Sequence, residues 1–305
     1  MKYIISDKYN NKTVKDYIKN EIKLSSNMLS RLKRLDDGIM LNGKRVTVRE
    51  RIFAQDTLWL SIEHETKESC NIVAVQMPLD IIFEDDYYIA LNKPPYTPTH
   101  PSHNHYSDTL ANGLAYMYKS KNLPFVFRAV NTLDKNTSGI VIFAKSAVAA
   151  DRFSKLQQNK LVQKEYIALV NGKTDPRGMV EGYIRRAEES IITRVFSKTK
   201  DSDDAAYSLT EYDTLAVGGN CSLVHLLLHT GRTHQIRVHM SSIGHSILGD
   251  ELYGQADRHG RHMLHALRIS FIHPFEQKNI VLAAPVPDDF LTVMSEKGIK
   301  YEFKL

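Results

Sequence analysis

Three stretches of this sequence concentrate residue types that could do chemistry. The first is NTLDKNTSG at 131–139, which places a single carboxylate, Asp134, among small polar residues. The second is QKEYIALVNG at 163–172, and the third is HTGRTHQIRVHMSSIGHSILGDELYG at 229–254. None contains the glycine-rich loop of a nucleotide-binding protein or the nucleophile elbow of a hydrolase. The three stretches therefore indicate neither of these types of site.

The third stretch predicts a helix over 233–243 that carries cations near its start. Thr233 can cap this helix, and Arg232 lies just before the cap. Apolar residues at helical spacing would face the core, namely Ile236, Met240 and Ile243. His234 and Arg237 then point elsewhere, so the pattern aims guanidinium groups at an anion. That anion is either a phosphate or a carboxylate from another part of the chain.

The elements that position these residues belong to a chain large enough to bury a substantial core. At 305 residues, with 42% hydrophobic and 25% charged residues, it has room for one large and one smaller domain. No apolar run reaches the roughly 18 to 20 residues that cross a bilayer, and the start MKYIISDKYNNK lacks signal-peptide features. We therefore expect a soluble, cytoplasmic protein. Two cysteines, Cys70 and Cys221, agree with a reducing compartment.

Positive charge is concentrated near the N-terminus. Residues 12–51 contain eleven Lys or Arg and five Asp or Glu, a net charge of +6, whereas the whole chain carries +5. A positive field on one small module favours a polyanionic partner such as nucleic acid. The alternative is an ordinary solvated surface.

The basic segment predicts a compact module of two helices and a small sheet. Apolar residues keep helical spacing over 14–22 and again over 28–35, and Gly38 ends the second helix. Asn42-Gly43 between two short apolar runs predicts a tight hairpin, and DTLWLSIE predicts another strand.

The rest of the chain predicts a second, strand-rich domain. Residues 67–79 carry few structural signals and are interpreted as a linker, after which IIFEDDYYIALNKP predicts two strands around an acidic turn. Short β-rich runs then alternate with a few helices, notably 147–160 and 233–243. Because there is no regular alternation of strand and helix, we expect an α+β fold with a mixed, largely antiparallel sheet.

Five segments together resemble motifs of the RluA/RluD type of RNA pseudouridine synthase, and they follow the family's order. They are EDDYYIALNKPPYTPTHPS, LDKNTSGIVIFAKS, QKEYIALVNG, the 229–254 stretch and LHALRISFIHPF. Residues 12–62 also resemble the S-four-type RNA-binding module that is often fused in front of this catalytic domain. The resemblance implies a small N-terminal α/β RNA-binding module over residues 1–75 and a pseudouridine synthase domain over residues 80–305.

The resemblance also implies roles for individual residues. Asp134 matches the catalytic aspartate, Tyr166 the tyrosine that would stack on the uracil, and Arg237 the arginine that would keep the acid ionised. The implied RNA-binding residues are Arg232, His234, Gln235, Lys93, Arg31, Lys33, Arg34, Lys44 and Arg45.

The implied reaction detaches the uracil of a flipped uridine from its ribose, turns it, and rejoins the sugar to a ring carbon. It needs no metal and no organic cofactor. The implied partner is RNA, either ribosomal or transfer RNA. No membrane and no obligate protein partner are expected, and the family is commonly monomeric.

One position departs from the family pattern. The motif usually reads His-Arg-Leu-Asp, but this chain has Asn131-Thr132-Leu133-Asp134. In relatives the missing arginine helps to fill the space left by the flipped base and contacts RNA. Arg128 or Lys135 could compensate, although each would approach from a different direction.

Two other functions remain open at this stage. A non-catalytic RNA-binding or RNA-chaperone protein could keep the scaffold while losing efficient base flipping, which the threonine at position 132 makes conceivable. The histidines of THPSHNH, at positions 100, 103 and 105, form the closest approach to a metal-like cluster and would suit a metal hydrolase. Their alternative role is a polar loop near the RNA.

Overall fold

The computed structural model describes residues 2–22, 24, 26–61, 72–255 and 259–303. Cys70 and the first part of the predicted 67–79 linker lie outside these residues. The described remainder of that linker, 72–79, contains neither helix nor strand, in agreement with the prediction.

The N-terminal part contains two short helices and two small antiparallel sheets. The helices are α1 (Val14–Tyr17) and α2 (Ser26–Leu32). The strands are β1 (Lys2–Ile4), β2 (Lys12–Thr13), β3 (Ile39–Leu41), β4 (Lys44–Arg45), β5 (Arg51–Ile52) and β6 (Thr57–Leu60). One sheet has the order β1-β6-β3-β4, and the other pairs β2 with β5. The predicted hairpin at Asn42-Gly43 is confirmed, because both residues have positive φ and connect β3 to β4.

Both predicted helices of this part exist but are shorter as α-helices. Thr13 caps α1 through a reciprocal capping box with Asp16, and wider π-type turns continue the helix over Ile18–Ile22. The second helix ends at Leu32, and the chain turns back at Gly38. A Cβ on Gly38 would overlap the Leu32 carbonyl, so the close approach of the two backbones requires glycine.

The part of the chain from residue 81 onwards, which the resemblance implies to be the catalytic part, is built on a ten-stranded sheet. This sheet confirms the predicted α+β, largely antiparallel fold. Its order is β12-β11-β13-β14-β10-β15-β9-β8-β7, with β16 pairing with β15. Every pairing is antiparallel except that of β9 with β15. The strands are β7 (Ile81–Glu84), β8 (Tyr88–Lys93), β9 (Ser138–Ala144), β10 (Val162–Asn171), β11 (Arg177–Arg186), β12 (Arg194–Ser197), β13 (Ala206–Gly218), β14 (Cys221–Leu228), β15 (Leu264–Ile272) and β16 (Asn279–Ala283).

Four helices pack against this sheet. They are α3 (Leu110–Ser120), α4 (Ala147–Gln158), α5 (Gln235–Ser242) and α6 (Asp288–Glu296). The main hydrophobic core joins β10, β14 and β15 to α5 and α6. Strand β10 occupies the middle of the sheet, between β14 and β15, so that side chains at its end are held by neighbours on both sides.

The N-terminal part packs on α4. Val148 belongs to the same buried cluster as the apolar side chains of the N-terminal helices and strands. Arg152, one turn further along α4, donates hydrogen bonds to the carbonyls of Pro274 and Ile22. The two parts therefore share a packed boundary in addition to their chain connection.

The start of β9 is fixed by a close approach to β15. Gly139 has φ +110°, and a Cβ there would overlap the backbone of Ala266. Only glycine tolerates both conditions. Next to it, Ser138 Oγ is 2.9 Å from His265 Nδ1, and Thr137 Oγ1 is 2.8 Å from His262 Nε2. The chain immediately before β9, which contains Asp134, is thus anchored to the centre of the sheet.

Three buried histidines of the catalytic part are held in their neutral form. They are His239, His262 and His265, each no more than 4% exposed. Burial lowers the pKa of each from 6.5 to about 4. Between about pH 6.5 and pH 4, these histidines therefore bind protons in the unfolded chain but not in the folded protein.

We predict that the free energy of unfolding is highest above pH 6.5 and falls as the pH drops towards 4. Each such histidine contributes a slope of up to about 1.4 kcal/mol per pH unit. Urea unfolding at a series of pH values measures the slope. Replacing His265 by Gln should reduce it, whereas replacing the exposed His103 should not. A stability that does not change between pH 7 and 5 would contradict the prediction.

Candidate active site

Asp134 lies in the loop that precedes β9, and buried cations hold this loop in place. Lys93 Nζ donates a hydrogen bond of 2.9 Å to the carbonyl of Lys135. Arg261 Nη1 donates one of 3.1 Å to the carbonyl of Asn136. The two residues that follow Asp134 are therefore tied to the protein interior, while its own side chain remains 27% exposed.

Lys93 is buried and supports the Asp134 loop through hydrogen bonds. Its Nζ donates to the carbonyls of Pro94, Thr97 and Lys135, and the residue has no accessible surface. Burial, with help from the nearby Arg261, lowers the pKa of Lys93 to about 7. Three carbonyl acceptors match the three N–H groups of an ammonium. The structure thus places this predicted RNA-binding residue in the interior, where it supports the Asp134 loop.

Arg237 bridges two carboxylates. Its Nη1 lies 2.9 Å from Asp134 Oδ2. Its Nε and Nη2 donate to the two oxygens of Asp250 at 2.7 and 2.8 Å, which is bidentate pairing. Asp250 is completely buried, and Arg237 is 8% exposed. The predicted pair of Asp134 and Arg237 is therefore present, and a second acid that sequence reasoning did not single out orients the guanidinium.

The three charges stabilise one another electrostatically. Burial by itself would raise the pKa of Asp250, but its hydrogen bonds with Arg237 bring it below the ordinary value. Burial would likewise lower the pKa of Arg237, but the bonds to Asp250 and the charge of Asp134 raise it. The guanidinium also lies over the ring of Tyr253, 5.1 Å from its centroid. The cation is thus permanent and fixed in orientation.

His234 approaches the same carboxylate. Its Nε2 is 3.7 Å from Asp134 Oδ2, and its Nδ1 is 2.8 Å from the hydroxyl of Tyr253. Burial lowers the pKa of His234, and the charge of Asp134 offsets only part of that shift. His234 has φ +57°, in the left-handed region. A residue other than glycine keeps this conformation only where the surrounding structure fixes it. His234 is thus an uncharged neighbour of the acid near neutral pH.

Tyr166 lines the same recess as Asp134 and Arg237. The residue is 8% exposed and lies at a register shift between β10 and β15, between positions 165 and 166. Burial and the charge of Asp134 raise the pKa of its phenol. The neutral ring of Tyr166 therefore forms part of the wall of the recess. Leu228 and Leu264 are among the apolar residues of the same wall.

Helix α5 begins two residues later than predicted, because Gln235 organises its first turn. Gln235 Oε1 accepts hydrogen bonds from Thr230 Oγ1 and from the backbone N–H of Arg232. Its Nε2 donates to the carbonyl of Leu209. Thr233 is therefore not the cap. Gln235 is 2% exposed and lines the recess. Both polar atoms of its side-chain amide are already hydrogen-bonded within the protein.

The remaining predicted residues of the third stretch differ in their exposure to solvent. Arg232 is exposed at the rim of the recess, where its Nε donates to the carbonyl of Tyr207. Ile236 and Met240 are buried as predicted, whereas Ile243 is 37% exposed because the helix has already ended at Ser242. The guanidinium of Arg232 is thus exposed at the mouth, with its Nε bound to the backbone of Tyr207.

Thr132 is exposed at the recess, and neither predicted substitute for the family arginine lines it. Arg128 is half-buried and lines another cavity together with Phe125. Lys135 is exposed and adjacent to Asp134. The lining of the recess contains Arg232 and Arg237 as its only arginines among the described residues.

The basic side chains that were predicted to bind RNA in the N-terminal part are exposed. All five predicted residues are exposed on or just after α2 and on β4: Arg31, Lys33, Arg34, Lys44 and Arg45. A groove of about 450 Å³ runs beside them, with Lys33, Arg45 and Arg49 above an apolar floor. None of these five residues lines the recess.

The histidines at positions 100 and 105 contact other side chains and do not have the geometry of metal ligands. His105 Nδ1 is 2.6 Å from Asp108 Oδ2, and the ring of His100 packs against Phe127. Within the described ranges, no group of three or more His, Cys, Asp or Glu side chains could hold a metal ion. In the same residues, no helix has the length and apolar character needed to cross a membrane.

A ten-stranded mixed sheet whose recess combines an aspartate from the loop before β9, a tyrosine on β10 and an arginine on α5 is the arrangement of an RNA-modifying isomerase. The family model of RNA pseudouridylate synthases matches residues 87–242. The chain belongs to the RNA pseudouridine synthase family, and within it to the RluA/RluD type.

Individual relatives support this assignment over most of the chain. An uncharacterized RNA pseudouridine synthase of Bacillus subtilis, YjbO, is 37% identical over 91% of this chain and 96% of its own length. Ribosomal large subunit pseudouridine synthase D of Zymomonas mobilis is 32% identical over 85% of this chain and 86% of its own. The solved structure of human RNA Pseudouridylate Synthase Domain Containing 1 has a TM-score of 0.57, with 28% identity, and covers 68% of this chain and 83% of the human one.

We predict that replacing Asp250 by Asn destabilises the protein by about 3–5 kcal/mol, because Arg237 loses its buried counter-ion. Urea unfolding at pH 7.5 measures the effect. A matched control replaces Asp201, which pairs with Arg185 at 3.0 Å in a more exposed position, and should cost less than about 1 kcal/mol. Equal losses in the two variants would show that the Arg237 bridge contributes no more than a surface pair.

Proposed function

We propose that this protein converts uridine to pseudouridine in large-subunit ribosomal RNA, with Asp134 as the catalytic residue. The single observation that carries the assignment of Asp134 is its 2.9 Å ion pair with Arg237 at a recess that Tyr166 also lines. Relatives from Zymomonas mobilis and Nitrosomonas europaea are named as pseudouridine synthases of the ribosomal large subunit, which supports ribosomal over transfer RNA.

The reaction is an isomerisation, so every atom of the uridine is retained. The bond from the ribose to the ring nitrogen breaks, the uracil turns, and a bond forms between the sugar and a ring carbon. That carbon loses a proton, and the nitrogen regains one. Such a sequence needs an anionic group beside the ribose and a site that keeps the detached base from escaping to solvent.

The described residues meet both needs. Asp134 supplies the anion, and Arg237 holds it in one orientation because Asp250 occupies the other side of the guanidinium. Tyr166 supplies an aromatic ring on which a uracil could stack at this recess. Since burial raises the pKa of its phenol, the ring remains neutral, and we assign it the stacking role rather than that of a base.

The N-terminal part would supply affinity for RNA. We assign residues 1–75 to an S-four-like RNA-binding module and residues 80–305 to the catalytic domain. The exposed cations of α2 and β4 support this division, since they can replace counterions on RNA phosphates. Arg232 and His234 then act at the target nucleotide itself.

We further propose that the protein acts as a monomer in the cytoplasm. All groups of the proposed site come from one chain. The related enzymes are named for ribosomal RNA.

We predict that Asp134→Asn lowers the single-turnover rate by at least about 10³-fold while RNA binding remains, because the amide keeps the shape but cannot act as an anion. Unmodified large-subunit ribosomal RNA and transfer RNA serve as substrates, with EDTA present, and a carbodiimide primer-extension stop detects pseudouridine. Asp201→Asn is the control. Absence of product from the wild type on every RNA would favour a non-catalytic RNA-binding protein.

We predict that replacing Arg31, Lys33, Arg34 and Arg45 together by Ala weakens RNA binding and flattens its dependence on salt. The rate on saturating RNA should stay nearly unchanged, because none of the four reaches the recess. Filter binding over a range of NaCl concentrations measures the slope. A control variant removes four exposed lysines of the catalytic part, Lys119, Lys121, Lys173 and Lys300. The same slope in both variants would refute the binding surface.

A further inference from the structure

A second groove lies beside the proposed catalytic recess. Its volume is about 350 Å³, and Leu228 lines both the groove and the recess. The segment 229–231 continues along the groove and leads directly into Arg232 at the rim. The lining residues are Gln157, Lys160, Val162, Gln163, Lys164, Leu227, Leu228, His229, Thr230 and Gly231. They include two lysines and no carboxylate.

Lys164 occupies the inner part of this groove and shares a strand face with Tyr166. The two residues are separated by one position in β10 and pair in regular register with Leu228 and Leu226 of β14. Glu165 between them points to the opposite face, where its carboxylate is 3.0 Å from His225 Nε2. The acid that is nearest to Lys164 in sequence is therefore already paired and turned away.

The ammonium of Lys164 has no partner among the residues that the structure describes. No hydrogen bond or ion pair of its Nζ occurs there, although the side chain is only partly accessible. Burial alone lowers the pKa of Lys164, and no neighbouring carboxylate opposes that shift. A desolvated ammonium without a counter-ion is unfavourable, and an anion in the groove would remove the penalty.

The shape of the groove leaves room for that anion. Gly231 lies next to the amine, since a Cβ on Gly231 would be 3.7 Å from Lys164 Nζ. The absence of a side chain there keeps the space above the ammonium open. Lys160, which is exposed and has φ +57°, adds a second cation at the mouth. Outside the lining, Glu211 Oε1 lies 2.9 Å from Nε2 of His229.

We propose that Lys164 binds a backbone phosphate of the RNA next to the target uridine, with Lys160 contributing at the mouth. The inference rests on the proposed function, because a uridine flipped into the recess keeps its flanking phosphates outside, along the rim. Lys164 is a positioning residue. Since it shares a strand with Tyr166, the phosphate contact and the stacking surface are held in one fixed relation.

The test compares Lys164→Gln with Lys300→Gln, which removes the same charge near the opposite end of β14, and with Lys164→Arg. The probe is an unmodified transcript of large-subunit ribosomal RNA. We expect Lys164→Gln to raise the Kd about tenfold and to reduce the slope of log Kd against log salt by about 0.7 to 0.9. The single-turnover rate at saturating RNA should stay within about twofold. Lys164→Arg should restore the binding, and Lys300→Gln should resemble the wild type.

Two outcomes would overturn the proposal. One is a salt slope for Lys164→Gln that equals that of Lys300→Gln. The other is a collapsed rate at saturating RNA with unchanged affinity, which would place Lys164 in the chemistry instead. Because Lys164 has no partner among the described residues, Lys164→Gln should unfold at the same or a higher temperature than the wild type, so misfolding is readily recognised. If the wild type formed no pseudouridine, the proposed function would fail, and the binding comparison would still decide whether the groove holds RNA.

A second measurement locates the phosphate. Short RNAs carry one neutral methylphosphonate linkage at each position around the target uridine. The wild type should lose affinity at one linkage, and Lys164→Gln should show no further loss at that linkage, as a double-mutant cycle requires for a direct contact. Additive losses at every linkage would contradict a contact between Lys164 and a flanking phosphate.

Discussion

A single guanidinium shared by two carboxylates is the interaction on which the site depends. Asp250 is buried and takes two N–H groups of Arg237, which leaves Nη1 directed at Asp134. The arrangement separates two tasks that one acid could not perform. The buried carboxylate fixes the cation, and the partly exposed carboxylate remains available to a substrate. Because both acids depend on the same cation, a displacement of Arg237 would disturb the orientation of each.

The sheet explains why this bridge can be built from residues more than a hundred positions apart. Strand β9 runs parallel to β15 and begins directly after the Asp134 loop, while β10 carries Tyr166 on the other side of β15. Gly139 permits the close contact with Ala266, and Lys93 and Arg261 hold the carbonyls of the loop. Rigid central strands thus set the distances, and short loops at their ends present the polar groups.

Several basic or polar residues of the motifs serve the scaffold instead of the RNA. Lys93 and Gln235 satisfy backbone groups in the interior, although the resemblance to the family implied that both bind RNA. Lys164 shows the reverse pattern. It stands beside Tyr166 in sequence but has no partner in the described chain, and burial without compensation marks it as a binding group. Exposure and pairing, which a sequence does not display, distinguish the two cases.

The sequence by itself determined the family, the α+β class, the hairpin at Asn42-Gly43, and the identity of Asp134, Tyr166 and Arg237 as the residues to examine. These follow from local spacing and from motifs that are contiguous in the chain. Only the tertiary structure decided that Asp250 is the second partner of Arg237, that Lys93 is buried, and that α5 starts at Gln235. The physical reason is that burial and ion pairing depend on which distant segments meet, and the order of strands in the sheet decides that.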